Sequence, residues 1–135
     1  GGIIFVASVL GFTPAPYLAN YAGSKAYTLY LGEAMHEEMR PHGVDVLAVC
    51  PGGTRTEFFD EESNAEIFRT LMRVSAPILL DPSDVAETAM HDLGKTGSTV
   101  VGLANELTVF SNRFVPRWLG TRLLGSVIGA FQSKG

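Results

Sequence analysis

Two short apolar runs constrain this chain most: residues 2–7 (Gly-Ile-Ile-Phe-Val-Ala) and residues 44–50 (Val-Asp-Val-Leu-Ala-Val-Cys). Both are rich in β-branched residues and neither alternates apolar with polar. Such a run reads as a strand buried on both faces, as in a parallel sheet covered by helices on each side. Between the runs, residues 8–20 carry Gly11, Pro14 and Pro16 and read as a loop. Residues 21–39 have helical periodicity, with Tyr27, Tyr30, Leu31, Ala34 and Met35 on one stripe. Pro41-His42-Gly43 ends that helix. Pro51-Gly52-Gly53 then breaks the second strand sharply. Further on, Asp81-Pro82-Ser83-Asp84 predicts a helix start, with Asp81 as N-cap and Pro82 at the first helical position. Residues 98–103 form a third strand candidate, and residues 114–131 predict one or two helices. The order strand, helix, strand, helix, strand, helical tail predicts an α/β fold built on a parallel sheet. In such sheets the active crevice lies at the carboxyl ends of the strands, here Ser8 and Pro51-Gly52.

Composition narrows the function. With 46% hydrophobic and 18% charged residues the chain is globular rather than disordered. One cysteine, Cys50, rules out a disulfide scaffold and reads as an inert core thiol. A formal net charge of -4 argues against a nucleic-acid binder held by a basic field. His36, His42 and His91 show no ligand spacing with one another or with Cys50, so no metal site is expected. No run reaches the length of a membrane span, and the start lacks the basic region of a signal peptide. Together with the lack of disulfides, this favours a cytoplasmic setting.

Three features converge on chemistry. Ser8 ends the first strand, Tyr21 and Lys25 stand four apart at the start of the first helix, and Pro51-Gly52-Gly53-Thr54-Arg55-Thr56 leaves the second strand. A spacing of four places Tyr21 and Lys25 on one helical face. An ammonium there favours the phenolate and lowers the tyrosine pKa from its usual value of about 10. A tyrosine so tuned can exchange a proton with substrate, and a serine hydroxyl at the neighbouring strand end can bind the same oxygen.

Tyr21-Ala22-Gly23-Ser24-Lys25 resembles the YxxxK motif of the short-chain dehydrogenase/reductase family. Ser8 stands thirteen residues before the tyrosine, as is usual there. The segment from Pro51 to Phe58 resembles the family's PGxVxT stretch, with Thr54 in place of the usual aliphatic residue. The resemblance implies an NAD(P)-dependent oxidoreductase that interconverts a carbonyl and an alcohol. Tyr21 would be the general acid and base. Lys25 would tune it and hold the nicotinamide ribose, and Ser8 would orient the substrate oxygen. Tyr21 and Lys25, with Pro51, Gly52, Thr54 and Thr56, would line the cofactor site, which takes NADP(H) or NAD(H). Residues 58–80 would form a variable lid over a small hydrophobic substrate.

The chain also departs from the family. Members are roughly twice as long, and their Gly-rich nucleotide loop precedes the strand that opens this sequence. Gly1-Gly2 leads into a strand and cannot serve as that loop. The expectation is therefore the C-terminal half of a Rossmann-type doubly wound sheet, residues 1–135 forming one partial domain with a helical tail from residue 110. Such a half is expected to be inactive alone, and to aggregate through the bare edge of its first strand. The alternative is a truncated, non-catalytic interaction module. Epimerase or dehydratase chemistry would use the same Tyr/Lys pair but fits the Pro51–Thr56 segment less well. The first helix also carries Ala22, Ala26 and Leu29, so it is apolar nearly all round and needs cover on both sides. One side predicts the sheet, the other a homodimer or tetramer through the 21–40 helix. The tail, residues 110–131, mixes Phe114, Trp118 and Phe131 with three arginines, which suits packing on its own domain or peripheral contact with a membrane.

Overall fold

The computed structural model describes residues 1–55, 67, 69, 71 and 78–132. Three parallel strands, β1 (Gly2–Val6), β2 (Asp45–Cys50) and β3 (Ser98–Val100), lie in the spatial order β1-β2-β3. Four α-helices are described around them: α1 (Ala19–Met39), α2 (Pro82–Asp92), α3 (Leu103–Ser111) and α4 (Arg117–Gln132).

The double burial read from the apolar runs is realised in β2, whose residues 46–50 are all buried. Ala48 and Cys50 pack with Ala7 and with Leu29 of α1. Leu47 and Val49 turn the other way and pack with Ala89 of α2 and Val101. Successive side chains of a strand point to opposite faces, so one central strand supplies the core of both layers. β1 pairs in register with β2, Gly2 opposite Asp45 through Val6 opposite Val49. The double burial expected of residues 2–7 is not met in β1, which pairs with β2 alone among the described strands and forms an edge of the sheet, with Ile3 and Val6 exposed.

The orientation of α1 differs from the expected stripe. Ala22, Leu29 and Gly32 face inward, while Tyr27 and Tyr30 are 69% and 59% exposed. The reason is close packing at Gly32, where an added Cβ would lie 2.8 Å from the Ala48 Cβ. Small residues let the helix axis settle onto the sheet, and bulky tyrosines would hold it off. The α1 stop is as expected: a 3-10 turn, Arg40–His42, follows directly.

Three further differences concern the second half. β3 stops at Val100 instead of running to residue 103, because the chain turns at Gly102 (φ 90°) into α3. That helix was not expected from the sequence. Asp81 does occupy the N-cap position of α2, but its side chain makes no cap hydrogen bond. It accepts instead from Arg55 Nη1 at 3.2 Å. In the tail, α4 folds back on its own chain. Ile128 is 1% exposed, and Leu124 packs with Ala15, Leu18 and Ala22. Phe114 and Trp118 stay exposed. Among the described residues, no helix is long and apolar enough to cross a membrane.

Candidate active site

The backbone hydrogen bonds that continue the sheet bring two strand ends together. Ala7 N–H donates to Val49 O at 2.8 Å, and Val9 N–H donates to Pro51 O at 3.1 Å. Ser8 is thereby held between Ala7 and Val9, beside the Pro51-Gly52 break. It is 7% exposed and caps a 3-10 turn, Val9–Phe12, by accepting from Leu10 N–H at 3.1 Å. The Ser8 oxygen is engaged as an acceptor, and its hydroxyl proton is left to donate.

Tyr21 and Lys25 come from the first turns of α1. The Lys25 ammonium donates to Val6 O, the last residue of β1, at 3.0 Å. It also lies 5.6 Å from the centroid of the Tyr21 ring. The lysine thus ties helix to strand while standing over the tyrosine, a cation–π arrangement. On the side of β2, Thr54 Oγ1 donates to Gly52 O at 3.1 Å, which tightens the turn after Pro51. The Gly53–Arg55 stretch pairs with Leu80, with Leu80 N–H donating to Gly53 O at 2.9 Å and Arg55 N–H to Leu80 O at 3.0 Å.

These parts line one open cleft of about 370 Å³. Ser8, Tyr21, Lys25, Pro51, Gly52 and Thr54 all border it, so six of the seven residues singled out in the sequence meet there. The seventh, Thr56, and most of the expected lid at residues 58–80 lie outside the described residues. The size is that of a small-molecule site.

Sequence reasoning missed three contributors. Pro82 and Val85 of α2 line the cleft and add apolar wall. The Leu80 pairing carries the start of α2 there, a long-range contact that no local pattern announces. The third is Asn105 of α3, buried, whose Nδ2 donates to Val101 O at 2.8 Å. Its amide lies so close to Gly52 that a Cβ there would fall 2.5–2.8 Å from its atoms. A glycine here lets the turn after β2 press against α3, and any Cβ would force the turn or the Asn105 side chain to shift. A glycine directly after a Pro at a strand end was the available signal, but its partner was not visible.

Cys50, in the core with Ala7, Leu29 and Ala48, matches its expected role. It is fully buried, and burial, with the negative charge of Glu33 adding to it, pushes its thiol up to about 12. The thiolate is the reactive form. Iodoacetamide at neutral pH is therefore expected to leave the folded protein unlabelled and to label Cys50 once denaturant is added. Labelling at equal rates in both states would contradict the burial.

Residues 1–67 match the family model for short chain dehydrogenases. The chain belongs to the short-chain dehydrogenase family. It is 46% identical over 118 residues to a very-long-chain 3-oxoacyl-CoA reductase of Podospora anserina, covering 87% of this chain and 29% of that protein. The mouse very-long-chain 3-oxoacyl-CoA reductase is 25% identical over 126 residues, covering 92% of this chain and 36% of the relative. Among solved structures, a 7β-hydroxysteroid dehydrogenase superposes with a TM-score of 0.74 at 26% identity, over 92% of this chain and 47% of that one. A Burkholderia cenocepacia short-chain dehydrogenase in complex with NADP gives 0.67 at 25% identity over the same shares. The chain thus spans about a third of the length of these curated relatives. The α/β architecture with a parallel sheet is that of a partial Rossmann-like short-chain dehydrogenase fold.

Proposed function

We propose that the protein is an NAD(P)-dependent oxidoreductase that interconverts a ketone or aldehyde with its alcohol, using Tyr21 as general acid and base. The observation that carries this reading is the convergence of Ser8, Tyr21 and Lys25 on one cleft from two separate stretches of chain. In the reducing direction the Tyr21 hydroxyl gives its proton to the substrate oxygen, and in the oxidising direction it takes that proton back. The Lys25 ammonium over the ring offsets the negative charge left on the tyrosine oxygen. The Ser8 hydroxyl proton, free because its oxygen serves Leu10, donates to the same substrate oxygen and fixes its position.

The residues present fit a nicotinamide cofactor. Pro51, the backbone of Gly52 and Thr54 border the cleft together, where a flat ring can lie, and the Lys25 ammonium is a donor for a ribose diol. Lys25, Pro51, Gly52, Thr54 and Thr56 would hold NADP(H) or NAD(H). When bound, that group supplies or accepts the hydride. The apolar wall of Val6, Pro82 and Val85 favours a hydrophobic carbonyl substrate, in keeping with the acyl and steroid substrates named for the relatives. The test is loss of NADPH or NADH absorbance in the full-length protein offered 3-oxoacyl thioesters and ketosteroids. Turnover with members of either class is expected, and no turnover with any hydrophobic carbonyl would overturn the assignment.

The outward face of α1 supports a second proposal, that two copies pair through it. Tyr27, Tyr30 and Ala34 lie exposed on that face, and a row of this kind is a candidate contact surface. Light scattering of the full-length protein is expected to give a dimer or tetramer that Tyr27→Glu weakens. A monomer for the unsubstituted protein would contradict this.

A further inference from the structure

A second cavity, of about 420 Å³, lies away from the catalytic cleft. Tyr21 and Lys25 face the cleft, whereas Ala22, Gly23 and Ala26 of the same helix line this cavity. One residue of helix is about a 100° turn, so the two hollows lie on different sides of α1. The walls are aliphatic and aromatic: Leu10, Phe12, Pro14 and Pro16 close one side. The start of α4 closes another, with Arg117 as the single charged side chain along the described lining.

A smaller hollow of about 110 Å³ adjoins it, and Thr13 and Arg117 border both. The polar groups at this junction are donors. The Arg117 guanidinium has no hydrogen-bond or ion-pair partner among the described residues. Thr13 Oγ1 accepts from Asn112 Nδ2 at 3.0 Å, which leaves its own proton to give. No Asp or Glu follows Glu106, and this part of the chain carries Arg113, Arg117, Arg122 and Lys134 although the whole chain is at -4. An open, mostly apolar hollow that shares a cation and a hydroxyl donor with a smaller, more polar one has the chemistry of an amphiphile site. Apolar area holds the tail, and charge-assisted hydrogen bonds hold the head.

We propose that this cavity binds a single-chain fatty carboxylate, with its tail along Leu10, Phe12, Pro16 and Ala26 and its carboxylate at Arg117 and Thr13. Tyr30 is the last α1 residue along the cavity, and the surface proposed for pairing continues from there.

The test is isothermal titration of the full-length protein with decanoate below its micelle concentration, with decanol and inorganic phosphate as parallel probes. Saturable decanoate binding is expected. Arg117→Gln should weaken decanoate by about tenfold or more and leave decanol unchanged. Gly23→Leu should weaken both, because its side chain enters the cavity. Neither change threatens the fold, since Arg117 is exposed and a Cβ on Gly23 meets nothing within 4 Å. Tyr21→Phe should leave decanoate affinity as it was, which separates this site from the reading of the cleft. The proposal fails if decanoate does not saturate, as when a second copy or another segment covers the cavity. It fails equally if decanoate binding is unmoved by Arg117→Gln and Gly23→Leu, or is lost with Tyr21→Phe. Phosphate binding as tightly as decanoate would also overturn it, since the apolar chamber would then contribute nothing.

Discussion

Tyr21→Phe is expected to lower turnover by about 10²–10⁴-fold, the range for loss of a positioned general acid or base. The substitution removes one oxygen and keeps the ring. That ring packs with Ala15, Leu18 and Ala22, so the melting temperature should change little. Lys25 still donates to Val6 O, and Gly52 and Thr54 still border the cleft, so cofactor affinity should hold within a few-fold. The signature is a collapse in kcat with little change in cofactor Kd, because the lost interaction forms at the substrate oxygen during reaction. Turnover that persists in Tyr21→Phe would remove the tyrosine from the mechanism. A large loss of cofactor binding would make its role structural.

Gly52→Ala is expected to act on both cofactor binding and stability. The new Cβ would sit 2.5–2.8 Å from the Asn105 side-chain amide, which is held by Val101 O. Either the turn after β2 moves into the cleft or Asn105 leaves its carbonyl. Overpacking of this kind costs about 1–3 kcal/mol, and a buried carbonyl left unpaired costs about 1–3 kcal/mol. Denaturant titration should show the loss, and cofactor affinity should fall with it. Asn105→Ala alone is destabilising through the Val101 carbonyl. In the double variant the clash is gone, so the two losses should fall short of adding by about 0.5–3 kcal/mol. Strict additivity would mean that the two residues do not press on each other.

The features legible in the sequence were those written in consecutive residues. Residues 44–50 read as a strand buried on both sides because every position but Asp45 is apolar, and a strand so buried needs a helix on each face. Ser8, Tyr21, Lys25 and the Pro51-Gly52 break could be placed at one end of the sheet because strand ends and helix starts follow from the same reading. What escaped depended on contacts between distant residues. A helix apolar nearly all round gives no single inward direction, and the choice at α1 was made by Gly32 against Ala48. Asn105 carries no signal until Gly52 is seen beside it. Pro82 and Val85 reach the cleft through the pairing of Gly53–Arg55 with Leu80, twenty-odd residues along the chain. Asp81 looked like an N-cap from its neighbours, but Arg55 competes for the same carboxylate.

The central claim is that this cleft positions a carbonyl for hydride transfer beside Tyr21. It is tested most directly by incubating the full-length protein with a reduced nicotinamide cofactor deuterated at both C4 positions and hydrophobic ketones, then weighing the alcohol by mass spectrometry. The account predicts an alcohol carrying one deuterium from the cofactor, formed by the unsubstituted protein and suppressed in Tyr21→Phe. An alcohol without the label, or no alcohol from any ketone while the cofactor is bound, would contradict it.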